Sequence, residues 1–278
     1  MLNLEKLYKR PKVFRRLTGL TPVKFKELFL DIEPLFKEAE FERKNRFNRK
    51  RKIGGGNQYK LSVEQALFML LLYYRTYTNH VFIGMVMNID DSNVCRYFRR
   101  IEPLLAKTFR IPKRKIDISE EEILELTVDA TEQETERRKG SGYSGKKKRN
   151  TVKTQIIVTS KGKIKSISRS IKGNIHDKKL YDKTKIIIPR KVKLKGDLGY
   201  VGTACITPII KRTRGAKLTV KEKEYNKQFN RKRAKVEHTI AHLKKFKILD
   251  VKFRNKISRY NLIFRNIAGI RNFVTETA

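Results

Sequence analysis

The sequence predicts an α/β domain preceded by an all-α region. Apolar residues recur at helical spacing through roughly the first hundred residues, and beyond Ile123 short runs of strand character give way to a long helical stretch. Strands followed by a long helix suggest a sheet with a helix packed on it. Hydrophobic residues make up 39% and charged residues 34% of the 278 residues, so we expect a substantial core beneath a very polar surface.

The charge of the chain is its most unusual bulk property. Lysine and arginine number 67 against 28 acids, which gives a formal net charge of +39. A body this basic attracts polyanions, and nucleic acid is the leading partner because counterion release would supply most of the affinity. An anionic membrane is the rival partner, but the longest apolar run, Ala66–Tyr74, is far shorter than the ~20 residues that span a bilayer. Since Cys95 and Cys205 form no C-x-x-C pattern, we expect both to be reduced thiols in a cytoplasmic protein. From the charge and the short apolar runs we expect association with the nucleoid and no membrane partner.

The N-terminal region begins with a helix signal. Thr21-Pro22 predicts a helix start, because threonine caps helices and proline suits their first turn, and apolar residues from Phe25 to Leu35 follow at helical spacing. Glu42 to Gln58 is a basic run that ends in Gly54-Gly55-Gly56, which predicts a flexible linker.

Leu61 to Phe109 predicts three helices. Ser62 followed by Gln65 is a capping-box signal, a second helix fits Asn79 to Met87, and Asp90-Asp91-Ser92 supplies an N-cap for a third. A third helix with polar and basic residues near its start is the helix-turn-helix layout, with a structural three-helix domain as the alternative. The candidate DNA contacts on this helix are Ser92, Asn93, Arg96 and Arg99.

The remaining chain predicts strands and then a helix. Leu124 to Asp129 and Val192 to Asp197 each predict a short strand that ends in an acid, and Val152–Thr159 with Lys163–Ile171 predict a hairpin. Thr219 to Leu249 turns helical, with an apolar stripe formed by Phe229, Val236, Ile240 and Leu243.

Three acids stand out in this basic chain: Asp129, Asp197 and Glu237. Each has a simple structural explanation when taken alone, as a strand-end residue, a turn residue and a helical partner of Arg233. If the three carboxylates converge, their mutual repulsion requires cations, and Mg²⁺ is the hard ion that binds carboxylate oxygens together with substrate phosphates. Two such ions can activate an attacking hydroxyl and stabilise the leaving oxygen of a phosphoryl displacement.

Ordered sequence blocks support this convergence. They are Val128-Asp129-Ala130-Thr131-Glu132; Tyr143 to Lys153 with Ser144-Gly145-Lys146-Lys147; Gly173 with His176-Asp177; Asp197-Leu198-Gly199-Tyr200 with Gly202; and Asn226, Arg233, Val236-Glu237-His238 with Leu243, Lys244 and Phe246. In this order and spacing the chain resembles insertion-sequence transposases of the DDE superfamily, in the group called insertion sequence five with its Harbinger-like relatives.

The resemblance implies an RNase H-like catalytic domain that depends on Mg²⁺ or Mn²⁺. It implies that Asp129, Asp197 and Glu237 are catalytic metal ligands, that DNA is cut at element ends, and that the freed 3′-hydroxyl attacks target DNA. The expected partners are double-stranded DNA, as terminal inverted repeats and target, and further copies of the chain in a homo-oligomer. Further candidate DNA contacts are Lys146, Lys147, Lys148, Arg233 and Lys244.

The predicted organisation has three parts. Residues 1–58 form a helical segment with a basic linker, residues 59–112 a helix-turn-helix domain, and residues 113–278 the catalytic domain. Two alternatives stay open at this point: a catalytically inactive DNA-binding protein derived from a transposase, and an RNase H-type nuclease that acts on RNA or hybrids.

Overall fold

The computed structural model describes residues 2–50, 52–53, 58–116, 125–137, 139, 141–189, 191–210 and 216–275. The described residues form two compact units, one extending through Arg110 and including Phe246–Ile248, the other comprising Ile111–Lys245 and residues 249–275. Gly54–Gly56 of the predicted linker and Leu124 of the first predicted strand lie outside the described residues. No helix in the described ranges is long and apolar enough to cross a membrane.

The helices of the first unit begin largely where the sequence predicts. The capping box of α4 is present, because the Ser62 hydroxyl accepts from the Gln65 amide at 3.1 Å and the Gln65 side chain accepts from the Ser62 amide at 3.0 Å. Asn79 caps α5, and the Asp90 side chain caps α6 by accepting from the Ser92 amide at 2.9 Å. The bounds are α1 Leu4–Tyr8, α2 Pro11–Thr18, α3 Pro22–Lys44, α4 Val63–Thr76, α5 His80–Met87 and α6 Asp91–Thr108.

Helix α3 differs from the prediction at its C-terminal end. It extends into the predicted linker as far as Lys44, because Arg43 pairs with Glu40 one turn earlier, with 2.9 Å between Nη2 and Oε2. The core of this unit forms around α4, which is buried from Ala66 to Tyr74. Phe14 of α2 packs against Phe25 of α3 and Phe68 of α4, at ring-centroid distances of 5.2 Å and 5.6 Å.

The second unit contains a mixed sheet centred on β1. Strand β1 pairs antiparallel with β3 from Leu126↔Thr159 to Glu134↔Thr151, and parallel with β6. The described strands form one sheet in which β2, β4 and β5 also pair with β3. Helix α7 lies between β5 and β6 in sequence and belongs to the crossover into the parallel strand. The bounds are β1 Glu125–Glu134, β2 Gly142–Ser144, β3 Arg149–Thr159, β4 Ile164–Ile167, β5 Ile171–Lys172, α7 Asp177–Thr184, β6 Lys193–Lys195, α8 Val220–Lys244 and α9 Ile257–Thr275.

Strand β1 is longer than the sequence predicts. The prediction that it ends at Asp129 is wrong, because pairing with β3 continues to Glu134 and places Asp129 in the middle of the strand. The polar residues after Asp129 find partners within the fold and therefore do not end the strand. The Glu132 carboxylate accepts from Thr151 at 3.1 Å, and the Gln133 side chain donates to the Val251 carbonyl at 2.7 Å.

Two long helices pack against the sheet. Helix α8 contacts β1 and β3, and its buried residues include Phe229, Val236 and Leu243 of the predicted stripe, whereas Thr239 is buried in place of the half-exposed Ile240. Helix α9 was not predicted, although Tyr260, Ile263, Phe264 and Ile267 show helical spacing. Its Asn272 side chain makes two 2.8 Å hydrogen bonds to the backbone amide and carbonyl of Ile164 and so joins the helix to β4.

Candidate active site

Two of the three candidate ligands lie at matching positions beside the parallel pairing of β1 and β6, with Asp129 inside β1 and Asp197 two residues beyond the end of β6. Thr127 of β1 pairs with Lys195 of β6, and Asp129 and Asp197 each lie two residues further along their own chain. Parallel strands run about 4.8 Å apart, so this register directs the two acids to one part of the sheet. The Asp197 side chain caps the short helix Leu198–Tyr200 by accepting from the Gly199 amide at 2.9 Å.

Asp129 experiences an unfavourable environment for a charged carboxylate. Its pKa is raised from 3.8 to about 6, mainly by burial and to a smaller extent by the charges of Asp197 and Asp177. The hydrogen bond from the Ala130 amide, at 2.7 Å, and the positive charge of Arg233 lower the pKa but do not cancel the effect of burial. A divalent cation would favour the ionised form of both Asp129 and Asp197, so this donor set fits a hard metal ion.

The burial of Asp129 predicts a stability change in the metal-free chain. Ionising this side chain costs more in the folded than in the unfolded state, so wild-type stability is fully retained below about pH 4 and falls as the pH rises through the folded pKa of about 6. We expect Asp129→Asn to remove that loss and to raise the free energy of unfolding at neutral pH by roughly 1–3 kcal/mol. Urea unfolding of both chains in EDTA at acidic and neutral pH measures the difference, which should disappear at acidic pH.

The third candidate, Glu237, lies on α8 and is linked to the pair indirectly. Its side chain is 58% exposed and pairs with Arg233 at 3.5 Å, while the Arg233 side chain is only 12% exposed. Arg233 therefore lies close enough to affect Asp129 and also contacts Glu237. In the described ranges, no three His, Cys, Asp or Glu side chains are grouped closely enough to hold one ion. The structure thus brings Asp129 and Asp197 together and leaves Glu237 paired with arginine.

A further acid, Asp177, lies beside the pair. Its charge contributes to the raised pKa of Asp129, and its carboxylate contacts Lys153 at 2.9 Å. Sequence reasoning gave this residue no role, although the block Gly173 with His176-Asp177 was a signal for it. The exposed His176 immediately precedes α7 and forms no side-chain cap to the helix.

The candidate DNA-reading face lies on α6 in the first unit. Ser92, Arg96 and Arg99 are exposed, and the Arg96 guanidinium donates to the half-exposed Asn93 at 3.0 Å. The neighbouring Arg100 is directed elsewhere, because it pairs with Glu40 at 3.6 Å and its guanidinium lies 4.9 Å from the Tyr59 ring centroid. The start of the helix therefore presents donors to solvent, as a recognition helix requires.

The remaining basic candidates lie in the second unit. Lys146, Lys147 and Lys148 form the exposed turn between β2 and β3, and Lys244 is the half-exposed last residue of α8. A separate basic cavity of about 320 Å³ lies where β1 and β6 meet α8, and Lys195, Lys232 and Lys235 are among the residues that line it. The hydrogen bond from Lys195 holds the pKa of Glu125, the acid in this cavity, below its ordinary value.

An all-α region with a helix-turn-helix and an RNase H-like α/β domain with paired carboxylates together define a class of nucleic-acid-processing proteins. Residues 59–111 match the family model for the helix-turn-helix of DDE superfamily endonuclease, and residues 128–272 match the model for DDE superfamily endonuclease itself. The chain belongs to the DDE superfamily of endonucleases. This family assignment agrees with the predicted superfamily, while the placement in the insertion sequence five group stays a prediction.

Two curated relatives extend the comparison. The chain is 35% identical, over 81% of its length and 85% of the relative's, to a probable transposase for insertion sequence element IS702 of Microchaete diplosiphon. It is 23% identical, over 70% of its length and 73% of the relative's, to a putative transposase for insertion sequence element IS112 of Streptomyces albus G. No solved structure matches the chain.

Proposed function

We propose that this protein is a DNA transposase that cuts phosphodiester bonds at the ends of its element and joins the freed 3′-hydroxyl to target DNA. The proposal rests on the parallel register of β1 and β6, because Asp129 and Asp197 each lie two residues beyond the paired Thr127 and Lys195 in a DDE endonuclease domain. The raised pKa of Asp129 supports it, because a buried carboxylate beside a second carboxylate favours a cation. The similarity to a probable transposase over most of both chains agrees with this reading.

Mg²⁺ or Mn²⁺, as two ions, is the proposed cofactor. Asp129 and Asp197 would hold it, with Glu237 as the third ligand once this carboxylate exchanges its contact with Arg233 for the metal. When bound, the ions supply the charge that lowers the pKa of the attacking hydroxyl and stabilises the leaving oxygen. Arg233 would then be available to a DNA phosphate. It lies by Asp129, and its buried Nε has no hydrogen-bond partner in the described part of the chain.

The DNA is proposed to be held by both units. Ser92, Asn93, Arg96 and Arg99 would contact the terminal inverted repeat in the major groove. Lys146, Lys147, Lys148 and Lys244 would contact phosphates, which carry affinity but no sequence information. Pairing of two element ends requires more than one active site, so the working form is proposed to be a homo-oligomer on double-stranded DNA in the cytoplasm, associated with the nucleoid.

A cleavage assay on the full chain tests the proposal. We expect labelled duplex DNA carrying the element end to be nicked in Mg²⁺ or Mn²⁺ and to stay intact in EDTA, because the carboxylates alone cannot neutralise the charge at the reacting phosphate. An RNA–DNA hybrid of the same sequence is the matched control. Faster cleavage of the hybrid than of duplex DNA would favour an RNase H-type nuclease.

A catalytically inactive DNA-binding protein is the second candidate. It predicts a mobility shift with element-end DNA and no nicking in either metal. Asp129 and Asp197 are both present, each two residues beyond the last parallel pair of β1 and β6, and this arrangement favours the active enzyme.

A further inference from the structure

Asp177, at the start of α7, lies at the border of the proposed metal centre. A methyl group placed on Gly199 would lie 3.0 Å from Oδ1 of Asp197 and 3.1 Å from Oδ2 of Asp177. The two carboxylate oxygens therefore flank one small space beside Gly199. Any residue larger than glycine at this position would fill that space.

Lys153 fixes the orientation of Asp177. Its side chain is 8% exposed, and Nζ lies 2.9 Å from Oδ1 of Asp177 and 3.2 Å from Oε1 of Glu132. The ammonium group also donates to the Ile175 carbonyl at 2.8 Å, so its position is fixed by three partners. One oxygen of Asp177 thus forms an ion pair with Lys153, while the other borders the space beside Gly199 that Oδ1 of Asp197 also borders. Because Lys153 carries one positive charge, it cannot neutralise both Glu132 and Asp177.

A second, independent feature at the same place is the hydroxyl of Tyr200. The residue is fully buried, and within the described residues this hydroxyl has no hydrogen-bond partner. Burial raises its pKa well above the ordinary value, and the charges of Asp177, Asp129 and Asp197 raise it further, so the hydroxyl lies within the field of all three carboxylates. A buried hydroxyl without a partner is unfavourable, and a bound water would supply the missing hydrogen bond.

We infer that Asp177 is a positioning residue for the divalent-metal centre and that Lys153 orients it. The Asp177 oxygen that does not contact Lys153, together with the Tyr200 hydroxyl, holds the hydration shell of a cation bound at Asp129 and Asp197. The inference rests on the proposed function. Since no three acids in the described ranges are grouped as ligands of one ion, Asp177 acts through water rather than by direct coordination. Outer partners of this kind orient a bound ion, and Mg²⁺ usually keeps several of its waters in proteins.

Metal affinity of the full chain, measured without DNA, tests the inference. We expect Asp177→Asn to weaken Mn²⁺ binding by about 10-fold or more. Electron paramagnetic resonance of the free ion measures the affinity. The matched control is Asp182→Asn, an exposed acid on the same helix, which should bind Mn²⁺ as the wild type does. Asparagine keeps the shape of the side chain, and Lys153 keeps Glu132 and the Ile175 carbonyl as partners, so the thermal unfolding midpoint in EDTA should stay unchanged, whereas a merely structural role would lower it.

The outcomes separate the inference from the proposed function. Wild-type Mn²⁺ affinity in Asp177→Asn together with weakened binding in Asp129→Asn would overturn the inference and leave the proposed function standing. Wild-type affinity in both variants would overturn both. If Asp177→Asn does not fold, Tyr200→Phe provides the second test, because it removes only an unpartnered oxygen. It should bind Mn²⁺ several-fold more weakly with no loss of stability in EDTA, and unchanged binding would contradict the role of this water site.

Discussion

Asp129→Asn is expected to abolish metal-dependent cleavage of element-end DNA while leaving DNA binding intact. The amide keeps the shape of the side chain and removes the charge that would hold the cation between β1 and β6. A loss of roughly 10³-fold in cleavage rate, equivalent to about 4 kcal/mol of transition-state stabilisation, is the expected scale. Nicking of labelled duplex DNA in Mg²⁺ and in Mn²⁺ measures the rate, and a mobility shift measures binding.

Two comparisons make this result specific. Asp182→Asn removes one exposed negative charge from the same unit and should cut at the wild-type rate. Because Asp129→Asn is also expected to be more stable than the wild type in EDTA, a loss of cutting cannot be attributed to unfolding. Equal cutting by the wild type and Asp129→Asn would end the assignment of Asp129 as a catalytic residue.

Glu237→Gln is expected to reduce the cleavage rate by about 10²-fold or more. Its effect differs from that of Asp129→Asn, because Glu237 has to leave Arg233 before it can reach the metal. In the metal-free chain Glu237 pairs with Arg233, whose charge lowers the pKa of Asp129. A cation bound at Asp129 and Asp197 would repel Arg233 and attract the Glu237 carboxylate, so the contact between Arg233 and Glu237 is expected to open as the metal enters. Glutamine can accept a hydrogen bond from Arg233 but cannot bring a negative charge to the ion.

The matched control is Glu224→Gln on the same helix, where the exposed acid accepts from Gln228 at 3.2 Å. Cleavage rates measured across a range of Mn²⁺ concentrations should show that Glu237→Gln needs more metal and cuts more slowly even at saturation. If Glu237→Gln and Glu224→Gln cut equally fast, Glu237 is not a ligand.

Local sequence signals predicted much of the helical structure. Thr21, Ser62, Asn79, Asp90 and Thr219 each precede a helix in the structure, because an N-cap needs only a short polar side chain and a free amide two or three residues later. The hairpin between β3 and β4 and the short strand β6 were also predicted, since alternation and turn residues are local features.

Strand and helix ends that depend on distant partners were predicted less well. The sequence after Asp129 is polar enough to suggest a turn, yet β1 continues because β3 supplies hydrogen bonds and Thr151 satisfies Glu132. Helix α7 was missed for a similar reason. It is short and polar, and its two buried residues, Leu180 and Thr184, are too few to show helical spacing in the sequence.

By itself, the sequence determined the strong positive charge, the α/β fold class with an all-α region before it, the superfamily and the candidate acids, because all of these depend on composition and on short ordered motifs. Only the tertiary structure decided which acids meet. The parallel register of β1 and β6 brings Asp129 to Asp197, the crossover through α7 adds Asp177, and Glu237 pairs with Arg233. The physical reason is that strand register and side-chain pairing are set by contacts between residues far apart in the chain, which no local pattern contains.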